Sequence, residues 1–212
     1  MNQPVIILGG GDHAKVLINA LRASSIKMLG VIDKDPARHN TFIMSVPVLG
    51  DDSVLDRHRP ESVLLVNGIG SINVSHNRAM VYESFKKKGY SFISVLHPST
   101  VVASGVILGE GAQIMAGAII QPGSRIGANA IINTHVTVDH DCEIGDHVHL
   151  APGVTLSGCV RVGSKTHIGT GAIIIQGISI GMNCMVAAGA VVVSDVPNGL
   201  FVAGLPAREI RP

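Results

Sequence analysis

Residues 105–127 read GVILGEGAQIMAGAIIQPGSRIG, and within them Leu108, Ile114, Ile120 and Ile126 recur at every sixth position. The spacing extends both ways. Counting in sixes from Leu96 through Val102 to Val192 meets Leu, Ile or Val at each step, including Ile132, Val138, Ile144, Leu150, Leu156, Val162, Ile168, Ile174, Ile180 and Val186, without an insertion. Four residues after the first nine of the steps that start at Val102 stands a small or aliphatic residue, among them Ala112, Ala118, Ser124, Ala130 and Cys142, and Gly often follows the aliphatic position directly. A helix repeats every ~3.6 residues and a simple strand every ~2, so neither explains a period of six. A triangular coil does: each side is one short strand, the aliphatic residue points into the prism, and small residues let the corner turn. Three sides make a coil of about eighteen residues, and stacked coils make a solenoid.

In such a solenoid, residues eighteen apart lie one above the other, about 4.8 Å apart. His149 therefore stacks on His167, and His140 falls between Pro122 and Gly158, with Asp139 between Gln121 and Ser157.

The first part of the chain has a different rhythm. PVIIL reads as a buried strand, GGGDHAKVLINALRAS as a glycine turn entering an amphipathic helix, and MLGVID as a second strand. SVLLVNGIG adds a strand and turn, a helix runs to about Lys88, and a last strand lies near FISVL. Alternating β and α units imply a small parallel sheet. The expected organisation is a small Rossmann-like α/β domain over residues 1–96 and an all-β parallel β-helix over residues 97–212. Gly9, Gly11 and Ala14 match G-x-G-x-x-A after a strand, and Asp33 ends the next strand. This pattern suits a phosphate at a helix N-terminus and a carboxylate near a ribose. A tight βα turn without a ligand gives the same pattern. The domain is too short for both halves of a dinucleotide fold, so one nucleotide carrying a sugar fits better than NAD.

Composition narrows the function. Among 212 residues, 46% are hydrophobic and 15% charged, which argues against disorder. A net charge of +1 gives no electrostatic reason to expect nucleic acid. No apolar run is long enough for a membrane span, and the opening lacks the basic flank of a signal peptide. Three cysteines without CxxC spacing suggest a reducing, cytoplasmic setting.

HPSTVVASGVILGEGAQIMAGAIIQPGSRIG, then NTHVTVDHDCEIG, then FVAGLPAREI, placed after a short Rossmann-like domain, resemble one family along nearly the whole chain. The repeat resembles the left-handed parallel β-helix of hexapeptide-repeat proteins. The whole resembles the hexapeptide acyltransferases that acetylate sugars, above all the bacillosamine-pathway UDP-4-amino-sugar N-acetyltransferases and the related sialic acid O-acetyltransferases. The resemblance implies a homotrimer, acetyl-CoA in the groove between neighbouring β-helices, and a UDP-amino-sugar on the N-terminal domain. It assigns His140 as the catalytic base and Asp141, shorter than the family's usual Glu, as its neighbour. It puts Gly9, Gly11, His13, Asp33, Gly70, Ser71 and Asn133 on the substrate side. It puts His149 near the thioester carbonyl, with Gly158, Thr170 and Ala188 along pantetheine. Gly204, Pro206 and Arg208 fall near the nucleotide end of the coenzyme.

The chemistry agrees. Acetyl transfer from a thioester to an amine needs a base, an oxyanion donor and both substrates in one groove. A histidine, with an ordinary pKa of about 6.5, suits the first task. A carboxylate beside it can orient the ring, and His149 or a backbone amide would polarise the carbonyl. Direct attack without an acyl-enzyme is expected, because Cys142 and Cys184 point inward and Cys159 shows no base beside it in the sequence. Three other readings stand beside this one. The acceptor could be a hydroxyl, as in sialic acid O-acetylation. The chain could be a nucleotide-sugar-binding scaffold whose histidines are turn residues. Finally, His135 and His140, with His149 or His167 as a third ligand, resemble the ligand spacing of γ-class carbonic anhydrases, which complete a three-histidine zinc site across a subunit interface; the N-terminal domain and the tail VPNGLFVAGLPAREIRP argue against that class, and no metal is expected.

Overall fold

The computed structural model describes residues 3–71 and 76–210. Its N-terminal part is a sheet with a helix on each face. Strand β1 (Val5–Leu8) leads through the glycine turn into α1 (Asp12–Ala23), followed by β2 (Met28–Ile32), β3 (Phe42–Ile43), β4 (Val46–Gly50), β5 (Leu64–Asn67), α2 (Asn77–Lys87) and β6 (Ser91–Phe92). The order across the sheet is β3-β4-β2-β1-β5-β6, parallel except for the β3–β4 hairpin. Strand β1 is buried on both faces, which is why it reads as an unbroken apolar run. Ala14, Leu17, Ile18 and Leu21 form the apolar stripe of α1 and pack on Val5, Ile7, Val31 and Val66. Ile6, Leu8 and Leu65 face the other way, against Tyr82 and Phe85 of α2.

The rest of the chain is the solenoid that the period of six predicts. Two-residue strands alternate among three parallel sheets, and each strand pairs with the one eighteen residues on: Gln113 with Ile131, Thr137 with Thr155, His149 with His167. The sixth-position residues fill the prism, with Ile114, Ile132, Leu150 and Ile168 fully buried. The small residues line the same core, as Ala112, Ala118, Ser124 and Cys142 are also fully buried. Each corner needs a residue in the left-handed region. Glycine supplies it at Gly123 (φ 78°) and Gly177 (φ 75°), while His135, Asp141, His147 and Cys159 adopt it at φ between 56° and 60°. His135 and His147 thus have a structural reason to stand where they do.

The first rung, Val95–Leu96, pairs with Gln113–Ile114. The solenoid therefore begins two residues ahead of the expected boundary, and Val95 and Met115 belong to the core beneath α1. At the far end, Phe201–Gly204 extends one prism face by pairing with Met185–Val186, and Ala207–Glu209 folds back on it antiparallel. The N-terminal part sits on the outer side of that same face, where Gln113, Ile131 and His149 would otherwise meet solvent.

Candidate active site

A cavity of about 1020 Å³ opens between the β1–α1 turn, the end of β2, the loop after β5, and α2. Gly9, Gly11, His13, Asp33, Gly70 and Ser71, all expected on the substrate side, line it together with His149. The N-terminus of α1 faces this space, an arrangement that suits an anion. Gly9 has φ 88°, which glycine alone adopts without strain. Asp33 is tied into the loop itself, accepting from the Gly10 amide at 2.6 Å and from the Asp35 amide at 2.9 Å. It fixes the shape of the glycine turn whether or not it also touches a ribose.

Beneath the cavity lies a buried polar seam that joins the two parts of the chain. Gln113 Nε2 donates to Asn67 O at 2.8 Å, so Gln113 Oε1 accepts from His13 Nε2 at 2.7 Å. That bond leaves His13 Nδ1 as an acceptor. Burial, and then the nearby Arg78 cation, hold the His13 pKa down at about 4, so the ring is neutral at pH 7. Arg78 is buried and donates to the carbonyls of Asn67, Ile69 and Asn129. Among the described residues it has no carboxylate partner, and desolvation brings its pKa down to about 9. The sequence reading passed over Arg78, Gln113 and Asn129, because an isolated polar residue in a helix or a strand gives no local sign that it will be buried.

His149, expected on the coenzyme side, lines this cavity. Its Nδ1 donates to Ser71 O at 2.7 Å and its Nε2 accepts from Asn133 Nδ2 at 3.1 Å, so both ring nitrogens are engaged. Burial, then His167, whose ring stands edge-on with its centroid 4.8 Å away, depress the His149 pKa to about 3. Asn133 is held in turn, since its Oδ1 accepts from the Thr134 amide at 2.8 Å.

His140 occupies a corner on the outside of the prism. Its Nδ1 lies 2.8 Å from Asp141 Oδ2, so the shorter carboxylate does reach the ring. That hydrogen bond raises the His140 pKa above its ordinary value. The ring lies over Gly158: a Cβ there would stand 2.5 Å from Nε2. Gly123 makes the same allowance for Asp141, where a Cβ would fall 2.2 Å from Oδ1. With Nδ1 held by Asp141, Nε2 is the nitrogen left to take a proton. Cys159, expected to lack a base, stands at this corner, with its sulfur within 4.8 Å of both His140 and Asp141.

The remaining coenzyme-side positions are spread out. Gly158 shares the His140 corner. Thr170 and Ala188, eighteen residues apart, stack on the corner at the other edge of the same prism face, and Gly189 N donates to Thr170 O at 2.8 Å. Gly204, Pro206 and Arg208 form the exposed C-terminal hairpin. His135 packs against Gly117, and its corner is neither that of His140 nor the site of His149 and His167. Within one chain, His135 and His140 thus stand on different corners.

A solenoid on a period of six, with a cavity against one of its faces and a histidine–carboxylate pair on an outer corner, has the architecture of a hexapeptide-repeat protein. Comparison with known proteins makes this specific. Residues 4–96 match the PglD N-terminal domain family, residues 105–140 and 123–158 match the bacterial transferase hexapeptide family, and residues 159–194 match the hexapeptide repeat of succinyl-transferase. Perosamine N-acetyltransferase from Caulobacter crescentus, solved as a histidine-to-asparagine variant with CoA and GDP-perosamine, is 39% identical, with 100% of this chain and 99% of that one covered and a TM-score of 0.92. The acetyltransferase domain of PglB from Neisseria gonorrhoeae FA1090, in complex with acetyl coenzyme A, is 33% identical over 99% of this chain and 100% of that one, with a TM-score of 0.91. GDP-perosamine N-acetyltransferase of Escherichia coli O157:H7 is 38% identical over 83 residues, and the match spans 39% of this chain and 38% of that relative. The chain belongs to the hexapeptide-repeat sugar acetyltransferase family, and its solenoid is the left-handed β-helix of that family.

Proposed function

We propose that the protein transfers the acetyl group of acetyl-CoA to the amine of a nucleotide-activated 4-amino sugar. The observation that carries this reading is the His140–Asp141 pair, 2.8 Å apart with Nε2 turned over Gly158, in a chain that aligns end to end with sugar N-acetyltransferases. The nucleotide sugar occupies the cavity lined by Gly9, Gly11, His13, Gly70 and Ser71. His140 Nε2 takes the proton of the amine as its nitrogen attacks the thioester carbon. The C–N bond forms, the C–S bond breaks, and the departing sulfur takes that proton back from the His140 imidazolium, so CoA leaves as the thiol. Asp141 holds the imidazolium that results. The base contributes about 10²–10⁴-fold, and positioning of the two substrates contributes much of the rest. Because both His149 nitrogens are engaged, a backbone amide is the donor we assign to the oxyanion.

Relatives at 38–39% identity bear GDP-perosamine in their names or complexes, which favours a GDP-linked acceptor over the UDP-linked one expected from the sequence. A homotrimer is part of the proposal. The face flanked by the His140 and Thr170 corners carries outward apolar residues toward both ends of its ladder, with Val101 59% and Ile173 43% exposed and Thr137 and Thr155 between them. His140 does not line the sugar cavity within one chain, so a neighbouring copy is needed to bring base and acceptor together. The acetyl-CoA donor and three free cysteines support a cytoplasmic setting.

The test is release of CoA thiol from acetyl-CoA with GDP- and UDP-linked 4-amino-4,6-dideoxy sugars, with light scattering to count protomers. Turnover on the GDP-linked amine, lowered by orders of magnitude in a folded His140→Ala variant, is the expected result. Preference for the UDP-linked amine would restore the first nucleotide assignment. Full turnover in His140→Ala, or in a monomer, would overturn the mechanism.

A further inference from the structure

Cys159 has no part in the reaction above, yet it stands directly on Asp141 in the corner stack. The two residues are eighteen apart, both are in the left-handed region (φ 57° and 60°), and the Cys159 amide donates to His140 O at 2.9 Å. A ring nitrogen of His140, a carboxylate oxygen of Asp141 and the Cys159 sulfur all lie within 4.8 Å of one another, a grouping of three such donors found nowhere else among the described residues. Gly158 lies between them and offers no side chain, which keeps the space clear.

We propose that this corner binds a soft divalent metal ion, zinc above all, and that the bound ion and acetyl transfer exclude each other because both use His140. One imidazole nitrogen, one carboxylate oxygen and one thiolate sulfur form a set that zinc takes, with a fourth position open to solvent. The thiolate and the carboxylate together offset the charge of the ion. Around a tetrahedral zinc the ligand atoms stand about 3.5 Å apart, so the side chains must draw in by roughly 1 Å. All three are exposed and turn about their own side-chain bonds, while the ladder bond from Cys159 N to His140 O stays in place. Binding releases the Cys159 thiol proton to solvent and occupies one ring nitrogen of His140; the other then carries the ring's own proton, so neither can take the proton of the amine.

The inhibitory half of this inference rests on His140 being the base; the binding half does not, and the test separates them. Cobalt(II) is added to metal-free protein and the thiolate-to-cobalt charge-transfer absorption is followed, which needs no acyl chemistry. The expected result is one cobalt per chain with that absorption, lost in Cys159→Ser and displaced by zinc. Acetyl transfer is then titrated with zinc, each protein being compared with its own rate in chelator. Cys159→Ser is expected to need at least about tenfold more zinc for half inhibition. No absorption at stoichiometric cobalt, or the same absorption in Cys159→Ser, overturns the site. Equal zinc sensitivity of wild type and Cys159→Ser overturns its link to the reaction.

Discussion

Lowering the pH from 7 to 5 should weaken the fold through two histidines buried at the cavity between the glycine turn and α2. His13 and His149 titrate normally near 6.5 in the unfolded chain but near 4 and near 3 when folded, because burial opposes their charged forms and, second in size, Arg78 repels the His13 proton and His167 the His149 proton. Both folded values are depressed, so the unfolded chain takes up protons first as the pH falls. The stability these groups contribute is therefore complete above about pH 6.5 and drains away toward pH 4 for His13 and pH 3 for His149. At pH 5 each unfolded histidine is charged and each folded one is still neutral, which costs about 2 kcal/mol per residue, or about 4 kcal/mol for the pair. For a chain of this size that corresponds to a fall in Tm of roughly 8–16 °C. The neighbouring charges and dipoles are Arg78, Gln113, Ser71, His167 and, for His149, His13 itself, and no carboxylate contributes to either shift. The assay is Tm by calorimetry at half-unit steps from pH 7 to 5, on wild type, His13→Gln and His149→Gln. Each variant removes one titrating group, so each should lose about half of the part of the slope that these two rings supply; His147 and His167, whose pKa burial also lowers, add to the slope of all three proteins. Parallel curves for all three proteins would refute the reasoning, because they would mean that these rings are solvated enough to protonate in the folded state.

The remaining predictions concern the corners and the seam. Gly158→Ala has no unusual φ to lose, but its Cβ would press on His140 Nε2 at 2.5 Å; kcat should fall about 10²–10⁴-fold with little change in Tm, as measured by steady-state kinetics and calorimetry. Gly123→Ala and Gly177→Ala place the same methyl in the same left-handed conformation, but only the first meets Asp141, at 2.2 Å, while the second meets nothing within 4 Å. Both should cost about 1–2 kcal/mol in denaturant titrations, and only Gly123→Ala should also lower kcat. Arg78→Met leaves the Ile69 and Asn129 carbonyls without a donor, at roughly 1–3 kcal/mol each, while Asn67 O keeps Gln113; denaturant titration should show the loss, with partial recovery in Arg78→Lys.

How far the sequence carries depends on whether a contact repeats. The solenoid was legible because each inward residue answers to the same constraint six positions later, so Leu108, Ile114 and Ile120 reinforce one another. The β3–β4 hairpin was not, because its turn residues Met44 and Ser45 adopt φ of 48° and 62° although neither is the Gly or Asn that normally marks such a turn. Cys159 lies between these cases. The rule that stacked His140 on Gly158 also stacks Asp141 on Cys159, so the thiol beside the base was within reach of the period, though not of the local sequence.

What the period could not supply is the way the cavity is held. His149 closes on Ser71, Gln113 on His13 and Asn67, and Arg78 on Asn129; each of these bonds joins the Rossmann-like domain to the β-helix, and none repeats. The outward positions of one prism face, Gln113 and His149 among them, look like ordinary solvent-facing rungs until another domain covers them. Once covered, each needs a partner, because an unsatisfied buried polar group costs about 1–3 kcal/mol. The partners they find are the chain segments that line the sugar cavity. The rigid solenoid thereby sets the spacing of the Gly9–Gly11 and Gly68–Ser71 loops through His13, Asn67 and Ser71. A substitution in the β-helix face, such as Gln113→Leu, should therefore weaken nucleotide binding without touching the nucleotide, whereas a change of similar size on the outer face, such as Ile173→Val, should leave it as it was.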